Sequence, residues 1–286
     1  MSIVLGANRY GKAETRLVHV ARTGDAHALT DLNVSVALAG DLAATHLTGD
    51  NSGVLPTDTM KNTVYAFARG HGVGEPEEFA LRLGRHFVAS QPQVSSATVA
   101  IEAYGWRRRG PHSFERDGSS VRTCRVDVWD GGAQVVSGIA GLVLLNTTAS
   151  EFHGFRRDRY TTLAETSDRI LATQVDASWR HTGATADWAG SSAGARDALV
   201  EAFVNTYSRS LQQTLLSMGT LVLRRRAELA EVRLSLPNRH HYLVDLSPFG
   251  LVNDDEVYLP GDRPYGLIEG TVTRDDAPPA DVAWYL

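Results

Sequence analysis

Apolar and polar positions alternate in short blocks with two distinct periods. Val18 and Val20 alternate with Leu17 and His19, and after the turn-like Gly24-Asp25 the series Leu32, Val34, Val36, Leu38 alternates with Asn33, Ser35 and Ala37. Period two of this kind predicts a β-hairpin. From Asp58 the spacing becomes helical, with Met60, Val64 and Phe67 along one face, and a second helix is predicted to open at Pro76 with Phe79, Leu83 and Phe87 four apart. Period two returns in Val99, Ile101, Ala103 and in Cys124, Val126, Val128, then passes through Asp130-Gly131-Gly132 into an apolar run from Ala140 to Leu145.

The second half repeats this order with different letters. Residues 169–179 read as extended, and one long amphipathic helix is predicted from about Arg196 to Leu223, with Leu199, Phe203, Tyr207, Leu211 and Leu215 four apart. The small-residue segment 190–195 reads as a loop or helix lead-in. Strands follow at Val232, Leu234, Leu236, at Tyr242 to Leu246, and at Gly266 to Val272. Two successive β-β-α-α-β-β units favour an α+β fold with antiparallel sheets and helices packed on one face. The expected division is 1–135 and 136–286.

Composition narrows the function. The chain has 286 residues, 43% of them hydrophobic, enough to bury a substantial core. With 28 basic and 33 acidic residues the net charge is -5, so no overall field draws the chain to nucleic acid or anionic lipid. The Arg107–Arg109 and Arg224–Arg226 runs read as solvated faces. One cysteine, Cys124, excludes an internal disulfide and a thiolate metal cluster, and points to a reducing compartment. Without a long apolar span or a signal-peptide pattern, the expected location is the cytoplasm, with no membrane partner. The end, Trp284-Tyr285-Leu286, is not a peroxisomal Ser-Lys-Leu address. No phosphate-loop or zinc-helix motif is present, and the adjacent His240-His241 on a strand would point to opposite faces, so no metal is expected.

Three polar interruptions carry candidate chemistry. Asn8-Arg9-Tyr10-Gly11-Lys12 puts a lysine just before the first strand, where solvent exposure is its ordinary fate. Thr57-Asp58 stands at a helix start, as a cap or as part of an anion site made by free amides and the helix dipole. Ser235 to His241 gathers Asn238, Arg239 and His240 where a strand breaks, which polarity alone would also explain.

Together these blocks resemble the urate oxidase (uricase) family, and its bacterial members most. The resemblance rests on Tyr10-Gly11-Lys12, Thr57 through Thr63, Phe152-His153-Gly154-Phe155 through Tyr160-Thr161-Thr162-Leu163 to Asp168-Arg169-Ile170-Leu171, Leu211-Gln212, and Ser235 through His240, with Arg263 to Ile268 fitting behind them. It implies tandem tunnelling-fold (T-fold) units, a homotetramer around a tunnel, and active sites between subunits. It also implies cofactor-free oxidation of urate by O2 to 5-hydroxyisourate and hydrogen peroxide. Carried over residue by residue, Arg169 and Gln212 grip the purine edge and Phe152 covers its face. The backbone of Leu211 and Asp58 adds contacts, with Thr57 and Asp58 from a neighbouring subunit. Lys12, Thr57 and His240 take the proton-relay positions, and Asn238 with Thr57 holds oxygen or water above the ring.

The residue types suit that chemistry. A guanidinium donates two parallel hydrogen bonds to an electron-rich anion, an amide reads both donor and acceptor edges, and a phenyl ring covers a π face without exchanging protons. A lysine acts as a base only where desolvation or nearby positive charge favours its neutral form. Four positions depart from the usual pattern: Pro56, Asn146, His153 and Leu215-Leu216. None replaces a named group, so they bear on turnover and assembly. A purine or pterin binder on the same architecture would need only the Arg169, Gln212 and Phe152 clamp, and a metal-dependent cyclohydrolase would need a Cys/His cluster that the sequence lacks.

Overall fold

The computed structural model describes residues 2–280; the chain's last three residues, considered above as an address, lie outside the described residues. Strands β1 (Tyr10–Thr23) and β2 (Ala26–Gly40) form the predicted hairpin, turning at Gly24-Asp25 with Gly24 at φ +67°. A short helix, α1 (Ala43–Leu47), leads to α2 (Thr57–His71) and α3 (Pro76–Ser90). Then come β3 (Val94–Arg108), β4 (Phe114–Trp129), β5 (Gly132–Asn146) and β6 (Leu171–His181), followed by α4 (Trp188–Asn205) and α5 (Leu211–Arg225). The order closes with β7 (Leu229–Pro237), the small hairpin β8 (His240–Leu243) and β9 (Tyr258–Gly261), and β10 (Leu267–Thr273).

Eight strands make one antiparallel sheet in the order β1-β2-β3-β4-β5-β6-β7-β10. The fold is α+β, as the patterning predicts. Alternate side chains pack beneath the helices in two clusters. Val34, Val36, Leu38, Val99 and Val126 meet Met60, Val64, Phe79, Leu83 and Phe87 in the first. Val175, Ala177, Trp179, Val232 and Leu234 meet Leu199, Phe203, Leu215, Met218 and Val222 in the second. Each cluster is the product of strand period two laid against helix spacing of three to four. The expected division after residue 135 falls inside β5, which pairs with β4 on one side and β6 on the other.

Four local expectations are corrected. The stretch 196–223 is two helices, because Ser210 caps a new one: its hydroxyl accepts from the Gln213 amide, while the Gln213 side chain accepts from the Arg209 amide. Residues 190–195 lie inside α4, capped by Asp187, with Ser191, Ser192 and Ala195 buried where small side chains allow close packing. The strand expected over 242–246 is instead 240–243. The arginine runs are partly paired: Arg109 with Glu115, Arg225 with Glu201 and Arg226 with Glu228.

Candidate functional site

Lys12 lies within β1, not ahead of it, and a β-bulge decides where it points. Lys12 pairs with Val36 and Thr15 with Val34, so three steps along β1 match two along β2. Strict alternation would put Lys12 on the opposite face from Thr15. The extra residue brings it back to the face of Val36, under the helices. Glu14 takes the left-handed conformation at φ +55° and donates its amide to Ser35 Oγ at 3.0 Å. An α-left residue of this kind is a recurrent bulge device, unusual in that glycine commonly fills it.

Beside Lys12 stands the start of α2. Neither Thr57 nor Asp58 caps it: the N-cap position is Pro56, with no side-chain hydrogen bond. The Asp58 carboxylate instead accepts from Lys61 and, at 2.9 Å, from Asn62. The bond from Lys61 is the main reason its pKa lies below the usual carboxylate value, with the Lys12 charge contributing in the same direction. The first amides of α2 are therefore left without a side-chain cap, beside an amine, at the positive end of a helix dipole. Lys12, Thr57 and Asp58 form one group.

The second group gathers at the far side of the sheet. Phe152 exchanges two backbone hydrogen bonds with Thr166, at 2.9 and 3.1 Å, and its ring stacks on Phe155 with centroids 5.0 Å apart. The Arg169 guanidinium carbon lies 5.2 Å from the Phe152 ring centroid, and Arg169 Nε donates to the buried Ser150 Oγ at 3.4 Å. Burial lowers the Arg169 pKa from its ordinary value. Ser150 is bridged to Ser208, whose hydroxyl accepts from Thr214 Oγ1 at 2.8 Å; all three side chains are buried. The backbone bridge and the Thr214–Ser208 hydroxyl pair tie the Phe152 and Arg169 segment to the first turn of α5.

That turn separates two adjacent glutamines. Gln213 is used in capping, whereas Gln212 is exposed and its amide makes no hydrogen bond among the described residues. Leu211 is buried before it. Asn238 is bridged to Thr173, two residues into β6, and its amide donates to Gly266 O at 2.9 Å. His240 pairs with Gly261 in the small hairpin, and its ring lies 6.0 Å from that of Tyr242. Phe152, Arg169, Leu211, Gln212 and Asn238 are thus tied through neighbouring backbone. Lys12, Thr57 and Asp58 share no hydrogen bond with them among the described residues. β1 and β6 are five strand spacings apart, roughly 24 Å along the sheet.

The positions that depart from the family pattern find plain surroundings. Asn146 Nδ2 donates to Phe203 O at 3.2 Å, His153 is exposed with Nε2 3.3 Å from Glu151, and Leu215 is buried while Leu216 is exposed. Tyr10, Ser150, Ser208 and Thr214 support the two groups and no periodicity singles them out. Among the described residues no three His, Cys, Asp or Glu side chains gather as ligands, and no helix is long and apolar enough to cross a membrane.

The uricase family model matches residues 8–127 and 135–269. The chain is 49% identical over 275 residues to the uricase of Arthrobacter globiformis, covering 96% of this chain and 91% of that protein. It is 38% identical over 276 residues to that of Dictyostelium discoideum, covering 93% and 96%. The crystal structure of the Arthrobacter globiformis protein superposes with a TM-score of 0.97 at 48% identity, covering 99% of both chains. The uricase structure from Bacillus fastidious shares the fold with a TM-score of 0.81 at 23% identity, covering 94% of each.

Proposed function

The chain belongs to the uricase family and is a urate-oxidising enzyme, and we propose that it works without metal or organic cofactor, by the reaction urate + O2 + H2O → 5-hydroxyisourate + H2O2. Two electrons and two protons leave the purine for dioxygen, and water supplies the new hydroxyl. Triplet oxygen reacts slowly with closed-shell molecules, so the protein's task is to hold urate flat and deprotonate it until one-electron transfer becomes accessible.

What supports this reading is the Arg169 guanidinium carbon 5.2 Å from the Phe152 ring centroid, on a segment tied through Ser150, Ser208 and Thr214 to the turn that carries the uncommitted Gln212 amide. In the proposed complex the guanidinium grips one polar edge of the anion and Gln212 the other, while Phe152 covers the face. Partial desolvation of Arg169 strengthens a charge-assisted bond to a planar anion. Uncapped amides at Leu211 and Asp58 supply further donors. Lys12, acting through the Thr57 hydroxyl, takes the proton, and His240 manages the water that adds to the oxidised ring. Asn238 and Thr57 hold oxygen and then water above it.

Because β1, which carries Lys12, lies five strand spacings from β6, which Arg169 precedes by two residues, in our reading a working site draws its two groups from different copies. We therefore read the assembly as a homotetramer of tandem T-fold units, 1–135 and 136–286, with sites between subunits. The test uses chelator-treated protein and urate, following urate absorbance, oxygen uptake and peroxide together. Equal consumption of urate and oxygen with matching peroxide is expected; oxidation abolished by chelation and restored by a metal would overturn the mechanism.

A further inference from the structure

The base end of the site is held by a side chain outside the reaction path. Tyr10 pairs with Leu38 and Lys12 with Val36, so both face the helices, with Gly11 between them turned away. The Tyr10 ring packs against the first core cluster, and its hydroxyl accepts the Leu55 amide at 2.9 Å. Leu55 lies two residues before Thr57, and Tyr10 two before Lys12. One hydrogen bond thus joins the strand that carries the amine to the segment that leads into the hydroxyl.

The surrounding backbone leaves little slack. A Cβ at Gly11 would lie 1.9 Å from Val36 O, so β1 runs against β2 more closely here than any other residue allows. Beyond Lys12 the Glu14 bulge fixes the register. Pro56, with φ -55° and ψ 137°, admits few other conformations between Leu55 and Thr57. Anchoring the Leu55 amide therefore anchors the position of Thr57. Burial raises the Tyr10 pKa, which keeps the phenol neutral.

We propose that Tyr10 is a positioning residue for the oxidation: its hydroxyl sets the separation of Lys12 and Thr57 without itself touching urate. This rests on the proposed assignment of Lys12 and Thr57 to proton transfer. It also supplies a physical account of the Tyr10-Gly11-Lys12 triplet, in which the phenol anchors, the glycine permits close approach and the amine reacts.

The experiment is a double-mutant cycle with Tyr10→Phe, Lys12→Met and the pair, reading kcat under air, urate Kd without oxygen, and thermal midpoint. Tyr10→Phe keeps the ring and its packing. It should lower kcat by ~10-fold or more, a size typical of misplaced reacting groups, while the anaerobic Kd changes by less than about twofold. Added to Lys12→Met it should lower kcat no further, because the group it positions is gone. If Tyr10→Phe lowers kcat by the same factor in both backgrounds, or leaves it unchanged in the native one, the positioning role is wrong. If Lys12→Met itself leaves kcat unchanged, the failure belongs to the proton-transfer assignment instead.

Discussion

Arg169 and Lys12 carry opposite sides of the proposed chemistry, and substitution should separate them. Arg169→Ala removes a partly buried guanidinium that makes charge-assisted bonds, and should weaken anaerobic urate binding by ~10–100-fold. Lys12→Met should instead lower kcat by ~10²–10⁴, the usual contribution of a positioned acid or base, with little change in binding. Steady-state kinetics with anaerobic titration checks both, and equal effects on both quantities in both variants would refute the division. A second prediction concerns a residue away from the site. His181 is buried; Ser137 Oγ is 2.6 Å from Glu77 Oε1 and 2.9 Å from His181 Nε2. The single hydroxyl proton of Ser137 goes to the carboxylate, so Nε2 carries the imidazole proton, and Nδ1 has no hydrogen-bond partner among the described residues. Burial lowers the His181 pKa to about 4. Unfolding raises it to near 6.5, so between those values the unfolded chain binds the extra proton and stability falls with pH. The loss is absent above pH ~6.5 and grows as pH falls, reaching as much as ~3 kcal/mol near pH ~4. Urea midpoints from pH 7.5 to 4.5 should show a slope that His181→Gln flattens; identical slopes would contradict it. At this scale the resemblance supplied the residues, whereas polarity alone could not tell Gln212 from Gln213. The Ser210-x-x-Gln213 capping pattern is readable in the sequence and makes that choice.

At the scale of elements, the β1 bulge does the work that a strand pattern conceals. Period two assigns faces only while the ladder is regular, and the extra residue between Lys12 and Thr15 reverses the assignment for Lys12. Nothing in Lys12-Ala13-Glu14-Thr15 announces this, since the α-left position holds a glutamate in place of a glycine. Deleting Ala13 would leave two regular steps between Lys12 and Thr15, keeping Lys12 opposite Val36 but removing the bend and added twist that aim its side chain, and should lower turnover by ~10-fold or more while circular dichroism stays native. Retained activity in a folded deletion variant would show that the bulge does not aim the lysine. The hairpins, helix faces and antiparallel sheet were legible because each buries one face with an unbroken period. The break between α4 and α5 was hidden because Leu199, Phe203, Leu211 and Leu215 keep the same spacing across it, and of that series only Tyr207, half exposed, marks the interruption.

Across the whole molecule, the eight-stranded sheet holds the proposed base and the proposed clamp apart. β1 is one edge, and β10 beside β7 is the other. Local patterning could place these strands along the chain but not show how far apart the two groups stand, because that follows from sheet order; only the family resemblance put Thr57 and Asp58 in a neighbouring subunit. In the proposed assembly each copy lends one group and borrows the other. Co-expression of Lys12→Met chains with Arg169→Ala chains, followed by purification of the mixed assemblies and measurement of urate oxidation, tests this most directly. At urate concentrations that fill native sites but lie well below the Arg169→Ala Kd, each variant alone should be nearly inactive, but in random mixtures one kind of interface pairs an intact Lys12 with an intact Arg169, so activity should return to about a quarter of the native value. Mixed assemblies no more active than the two variants apart would contradict a site shared between copies.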